Sequence, residues 1–183
     1  MKESPAIIRP ADPERDAAAC AAIYAPYVED GPISFEERAP DAAAMATRIA
    51  AHGSTHGWLV AERGGEVVGY AYACPHRART AYRWSVDVSV YVAPGHTGEG
   101  VGRAVYTELF ERLRAQRFRM AFAGITLPNE ASVALHESLG FAQVGTMREV
   151  GWKLGAWRDV GWFQLELTDP ADPPREPLPP EQV

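Results

Sequence analysis

The chain holds only two cysteines, Cys20 and Cys74, among 183 residues, far apart and in no metal-ligand spacing. That excludes a disulfide framework and a zinc ribbon. No apolar run approaches the ~18–20 residues of a membrane span, and the opening MKESPAIIRP has no signal-peptide core. Positive charge is not in surplus either: 18 Lys and Arg stand against 24 Asp and Glu, a net charge of −6. Nucleic-acid backbones and anionic membranes are held by clustered positive charge, so neither is an expected partner. The Gly-Lys-Ser/Thr of a P-loop is missing as well. The expectation is a reduced, cytoplasmic protein with no metal.

What is present is an ordinary globular composition, 46% hydrophobic and 23% charged. The length gives one domain, and such a chain buries about 70% of its extended surface without a staple. Asp12-Pro13 supplies an N-cap and a first-turn proline for a helix over Pro13 to Glu29, with Ala17, Cys20, Ile23, Tyr24 and Tyr27 on one face. A second helix fits Asp41 to Ala51. Trp58–Glu62 and Glu66–Ala73 read as a hairpin around Gly64-Gly65. Ser85–Val92 alternates strictly, with Val86, Val88, Val90 and Val92 on one face and Asp87, Ser89 and Tyr91 on the other. A glycine-rich turn leads to a helix ending near Gln116. A strand over Phe118–Ile125, a helix from Pro128-Asn129 to Leu139 and two final strands follow, the last at Trp162–Leu167. The order βααβββαβαββ predicts an α+β fold on a mixed, mostly antiparallel sheet flanked by helices. This domain spans 1–168. Residues 169–183 contain six prolines, a composition that forms no packed element and reads as an extended tail.

Four groups of residues carry possible chemistry. Gly98, Gly100 and Gly102 stand just before a helix, where backbone N–H groups can approach a phosphate or pyrophosphate. A structural glycine turn without a ligand fits the same spacing. Asn129, Ser132 and His136 share one face of a short helix; a cap and a half-buried histidine fit that pattern too. Asp87 is either a solvated strand aspartate or a cleft carboxylate able to act as a base. His76-Arg77-Ala78-Arg79, with Arg83, is either solvated charge or a clamp. On an extended segment, arginines two apart point the same way and can hold a small anion.

These residues resemble the GNAT N-acetyltransferases, and more narrowly the phosphinothricin or methionine sulfoximine N-acetyltransferase branch. The likeness rests on V-V-G-Y-A-Y-A, R-A-R-T-A-Y-R-W, S-V-Y-V-A, G-E-G-V-G, L-P-N-E-A-S-V-A-L-H-E-S-L-G-F and V-G-W-K-L-G-A-W-R-D-V-G-W, in order from about Ile7 to Leu167. The Pro-rich tail also looks like that of some herbicide-resistance members. The resemblance implies acetyl-CoA as co-substrate and a small amino-acid-like amine as acceptor. Backbone groups of Val90, Tyr91 and Val92 would meet the pantetheine arm. Amides of Gly98, Glu99, Gly100, Val101, Gly102 and Arg103 would hold the pyrophosphate, with Asn129 and Ser132 completing the cofactor contacts. Asp87 or His136 would take the amine's proton. Phe35, Arg77, Arg79, Tyr82, Val88 and Ser89 would hold the acceptor, and a homodimer is implied.

Two positions depart from the family pattern. Thr97 replaces the Gln or Arg that begins the turn, which implies weaker CoA binding. Asp87 replaces a glutamate and is shorter by one methylene, about 1.5 Å, which favours a water-mediated proton transfer. His136 and Tyr91 are the donors available to the leaving thiolate. Cys20 and Cys74 lack the setting of a nucleophile, so an acetyl-cysteine is not expected. Two other readings use the same motifs: transfer to a peptide N-terminus or polyamine, and a CoA-binding sensor without turnover.

Overall fold

The computed structural model describes residues 6–183. Its strands and helices follow the expected order: β1 (Ile7–Pro10), α1 (Pro13–Glu29), α2 (Ala42–Gly53), β2 (Trp58–Arg63), β3 (Glu66–Pro75), β4 (Ser85–Val92), α3 (Val101–Ala115), β5 (Met120–Leu127), α4 (Glu130–Ser138), β6 (Ala142–Lys153) and β7 (Ala156–Glu166). The sheet runs β1-β2-β3-β4-β5-β7-β6. Its neighbours pair antiparallel except β4 and β5, which α3 joins as a parallel crossover.

Local chemistry sets most of the helix starts. The Asp12 carboxylate accepts from the Glu14 and Arg15 amides at 2.8 and 3.0 Å, and Pro13 fills the first position of α1. Asp41 and Asn129 cap α2 and α4 in the same way. Asp16, buried on α1, takes two hydrogen bonds from Arg9 at 2.6 and 2.7 Å and so fastens β1 to the helix. Burial pushes the Asp16 carboxyl up, but its bonds to Arg9 and the Asp12 amide and the charges of Arg9 and Arg15 together outweigh this and lower it from the usual value.

Two apolar layers sandwich the sheet. Helix α3 places Val105, Leu109 and Leu113 against Leu59, Ala71, Val86 and Val88 on one face. Helices α1 and α2 place Cys20, Tyr24, Met45 and Ile49 against Trp58, Val60 and Tyr70 on the other. Leu109 and Leu113 are fully buried, and truncating either to Ala would cost about 2–5 kcal/mol. The Cys20 and Cys74 thiols are pushed up by burial to about 12 and 11, so neither forms a thiolate readily.

Some boundaries differ from the expected ones. β5 begins at Met120 rather than Phe118, because Arg117 takes a left-handed φ of 70° and Phe118 then turns into the core, stacked on His56. The outermost hairpin, β6–β7, leaves Val144, Met147, Val150, Trp152, Leu154 and Trp157 exposed. The tail is extended and is fastened to the domain at several points. Gln116 donates its side-chain N–H to the Leu178 carbonyl at 3.0 Å, and its own carbonyl accepts from the Leu178 amide at 2.9 Å. Trp84 donates to the Arg175 carbonyl, and Arg83 grips Glu176 with two bonds of 2.7 Å. A proline-rich segment has few N–H groups but keeps every carbonyl, so the domain supplies most of the donors.

Candidate active site

β4 and β5 pair only from Ser85 to Asp87, opposite Met120 to Phe122, and then part. A cleft opens between them, lined by Val88–Tyr91 on one side and Ala123–Thr126 on the other, with Asn129, Ser132 and His136 of α4 beyond. It continues into a cavity of about 420 Å³ bounded by Val90–Val92, Gly98, Gly100–Arg103 and Leu135. The Tyr27 hydroxyl donates to the Val92 carbonyl at 2.6 Å and lies 3.3 Å from the Val92 amide. Val92 therefore turns its backbone groups away from β3. Alternate residues of a strand turn theirs to the same side, so Val88 and Val90 also face the cleft. The side chain of Tyr91 goes the other way, against Tyr24, Tyr27 and Tyr70.

The glycine turn ends at Gly100, whose φ of 83° is left-handed, as is that of Gly98 at 80°. Side chains cap α1, α2 and α4, whereas Gly100 gives α3 no side-chain cap. The first amides of α3 thus keep their capacity for an anion. A Cβ on Gly102 would lie 3.3 Å from Leu135 and 3.5 and 3.7 Å from Val92 and Val90, so its absence keeps the cavity wall low. These features fit a pyrophosphate and an amide-bearing arm. Val101 is buried against Ala61 and Val68. Glu99 turns its carboxylate to Arg63 and His96, leaving only its backbone for a ligand. Arg103 reaches Ser138, tying α3 to α4.

Asp87 stands where the strands part, on the sheet face opposite the valines. Its carboxylate accepts a 2.6 Å hydrogen bond from Nδ1 of His76. Burial raises the Asp87 pKa above the usual value, although the bond to His76 works against that. The His76 ring stacks on Phe122 with centroids 4.2 Å apart and meets Tyr82 and Trp162 edge-on. Arg77 lies 5.6 Å over the Trp162 ring and donates to the His76 carbonyl. The 76–79 segment bends rather than runs extended, so the alternation argument for a paired clamp does not apply. The Arg79 side chain is exposed and makes no hydrogen bond or ion pair among the described residues, and Arg83 is occupied by Glu176.

Phe35 belongs to a segment pinned from three sides. Tyr24 bonds Ser34 and Glu36, Arg48 forms a two-pronged pair with Glu36 at 2.7 and 2.9 Å, and Lys153 donates to the Glu36 carbonyl. The Phe35 ring lies on Gly151, where a Cβ would come within 2.1 Å of it. Ile33, two residues earlier, borders the cleft.

His136 is buried behind the cleft, across the sheet from Asp87. Its Nδ1 lies 2.7 Å from the Ser132 carbonyl, which can only accept, so Nδ1 carries the hydrogen. Nε2 then accepts from the Tyr106 hydroxyl at 3.2 Å. Burial lowers the His136 pKa and keeps the ring neutral. Tyr27, Tyr106, Phe122, Trp162 and the bond between His76 and Asp87 were not foreseen from sequence. The one signal for any of them was Trp162, in the Gly-Trp pair that echoes Gly151-Trp152. Among the described residues no group of three or more His, Cys, Asp or Glu is placed to hold a metal ion. No helix there is long and apolar enough to cross a membrane.

A parallel strand pair that parts beside an uncapped, glycine-led helix is the arrangement that the resemblance to the GNAT N-acetyltransferases implies for an acyl-CoA site. Residues 20–141 match the Acetyltransferase (GNAT) family, and the chain belongs to that family: it is an acetyl-CoA-dependent N-acetyltransferase. It is 40% identical over 179 residues to a phosphinothricin N-acetyltransferase of Streptomyces viridochromogenes, covering 98% of this chain and 97% of that one. It is 41% identical over 115 residues to an L-methionine sulfoximine/L-methionine sulfone acetyltransferase of Salmonella typhimurium, covering 63% and 67%. The crystal structure of a GNAT superfamily phosphinothricin acetyltransferase from Sinorhizobium meliloti in complex with acetyl-CoA superposes with a TM-score of 0.85. That protein is 36% identical, over 93% of this chain and 96% of the other.

Proposed function

We propose that the protein acetylates the α-amino group of a small amino-acid analogue of the phosphinothricin or methionine sulfoximine type, by direct attack with both substrates bound. The observation that carries this reading is the position of Asp87. It is the last residue of β4 paired with β5, with His76 and Arg77 around it, where the cleft opens. Acetyl-CoA, when bound, supplies a thioester carbonyl carbon to the amine. Backbone amides from Gly98 to Arg103 hold its pyrophosphate, Val90 and Val92 pair with its arm, and Asn129 and Ser132 close the far side. Tyr27 releases the Val92 carbonyl as the arm enters. The Val88 N–H faces the cleft and stabilises negative charge on the carbonyl oxygen.

Arg77 and the free Arg79 hold the acceptor's anionic groups, while Phe35, Tyr82 and Ser89 bound its side chain. The departing sulfur takes its proton from the acceptor nitrogen, since both ring nitrogens of His136 are engaged, Nδ1 with the Ser132 carbonyl and Nε2 with the Tyr106 hydroxyl. The arginines disfavour a polyamine acceptor, which would need an acidic cleft. The protein works in the cytoplasm, where its two free cysteines stay reduced. Two copies associate through the exposed apolar edge of β6–β7, which would cover Trp152 and Trp157. Substituting Glu for Trp157 should then halve the mass seen by light scattering. The primary test is release of CoA thiol from acetyl-CoA with L-phosphinothricin, L-methionine sulfoximine, methionine and a polyamine as parallel acceptors. Turnover confined to the first two supports the reading and carries tolerance of the herbicide with it. Turnover with the polyamine alone overturns it.

A further inference from the structure

The bond between His76 and Asp87 changes which atom is free to act. A carboxylate only accepts hydrogen bonds, so at 2.6 Å His76 must carry its hydrogen on Nδ1, and the lone pair of the neutral ring then sits on Nε2. Nε2 has no hydrogen-bond partner among the described residues, and it is not among the buried polar atoms sealed from solvent. The ring cannot turn freely. It lies flat on Phe122 at 4.2 Å, with Tyr82 and Trp162 edge-on at 5.8 and 6.1 Å. The Asp87 carboxylate, by contrast, is committed to the imidazole through Oδ1 and sits short of the cleft by one methylene relative to the glutamate that the family pattern implies.

We infer that His76 Nε2 is the atom that takes the proton from the incoming ammonium, and that Asp87 orients the ring and supports the positive charge it acquires. The inference rests on the reaction proposed above. The ammonium gives one proton to Nε2, leaving a neutral amine and an imidazolium. The nitrogen then forms its bond to the acetyl carbon as the carbon–sulfur bond breaks and its electron pair stays on sulfur. The second nitrogen proton ends on that sulfur, and the imidazolium returns its proton to water. Asp87 keeps the ring in the productive tautomer, which is the role a buried carboxylate plays beside any imidazole base. The titratable and charged groups around the pair are Cys74, opposite Asp87 on β3, Arg77 on the loop and Tyr82 on the following turn. β5 and β7 add the rings of Phe122 and Trp162.

His76→Asn separates the two candidates for the base, because its amide can still donate to Asp87 while the Nε2 lone pair is gone. With L-phosphinothricin as acceptor, kcat should fall about 100-fold, KM for acetyl-CoA should stay within about twofold, and the acid limb of the kcat/KM profile should disappear. In His76→Ala, added imidazoles should restore turnover at rates that rise with the pKa of the imidazole used. Acetyl-CoA binding by each variant, measured calorimetrically, reports whether it is folded. If His76→Asn keeps a third or more of wild-type kcat and the same acid limb, Asp87 itself is the base and the inference falls while the reaction stands. If folded His76→Ala is not rescued by any imidazole, the inference falls equally. A wild-type protein silent with every acceptor removes the proposed reaction, and this assignment with it.

Discussion

On the proposed reading, the two mouths of the cleft would recognise their ligands by different means. The glycine-led mouth works through the backbone: left-handed Gly98 and Gly100, the uncapped first turn of α3, and strand groups of Val88 to Val92. The acceptor mouth works through side chains: the His76 ring on Phe122, Asp87 beneath it and Arg77 over Trp162. Backbone recognition depends on where a chain can turn, so on that reading a replacement such as Thr97 would weaken it only in part. Side-chain recognition depends on each group in place, so a single change redirects it.

Substitutions on either side can break that contrast, and the largest effect belongs to the acceptor mouth. Asp87→Ala should lower kcat by roughly 10²–10³ while KM for acetyl-CoA hardly moves, as steady-state kinetics would show. Gly102→Val should do the reverse. Its side chain enters the space bounded by Leu135, Val92 and Val90 and should raise KM for acetyl-CoA about 30-fold, with kcat at saturation close to wild type. Arg77→Ala should raise KM for a doubly anionic acceptor about tenfold without touching acetyl-CoA affinity, and equal weakening of both would mean the mouths are not separate. Thr97→Arg should tighten acetyl-CoA binding about threefold by calorimetry, since it adds one exposed charge to contacts made mainly by amides.

The smallest effect is on stability. Asp87 has a raised pKa in the fold, so the folded state binds its proton more tightly than the unfolded chain does. Above the ordinary carboxyl range its contribution therefore becomes less favourable as pH rises. Asp87→Asn keeps an acceptor for His76 and removes the buried charge. It should raise Tm by about 2 °C at pH 7–8 and leave it unchanged near pH 3, while turnover falls. A protein that loses rate and gains stability together would mark Asp87 as held in place for chemistry.

The same contrast governs what could be read in advance. The capped helices, the β4 alternation and the glycine turn are short-range devices. Asp12 caps amides two and three residues away, and Gly100 simply precedes its helix. They were legible because their cause lies inside a few consecutive residues. The acceptor mouth was legible only as a list of candidates. His76 meets Asp87 across a bent loop and Tyr106 meets His136 from 30 positions away, and the glycine-led mouth has one such pair too, Tyr27 reaching Val92 from 65. No local pattern encodes such pairs, since the fold alone brings them together. The bend at 76–79 also undid the inference that Arg77 and Arg79 point alike, because alternation holds only in a strand.

The strap formed by the C-terminal segment bears on the order in which the protein is made. Arg83 closes the loop that carries Arg77 and Tyr82, and its carboxylate partner is Glu176, 93 positions later. A ribosome releases that loop long before it polymerises the glutamate. The sheet from β1 to β5 can assemble before this pair forms, with the loop held meanwhile by the bond between His76 and Asp87 and by the His76 ring on Phe122. A nascent chain stalled before Glu176 would therefore lack the two bonds that tie Arg83 to the C-terminal segment.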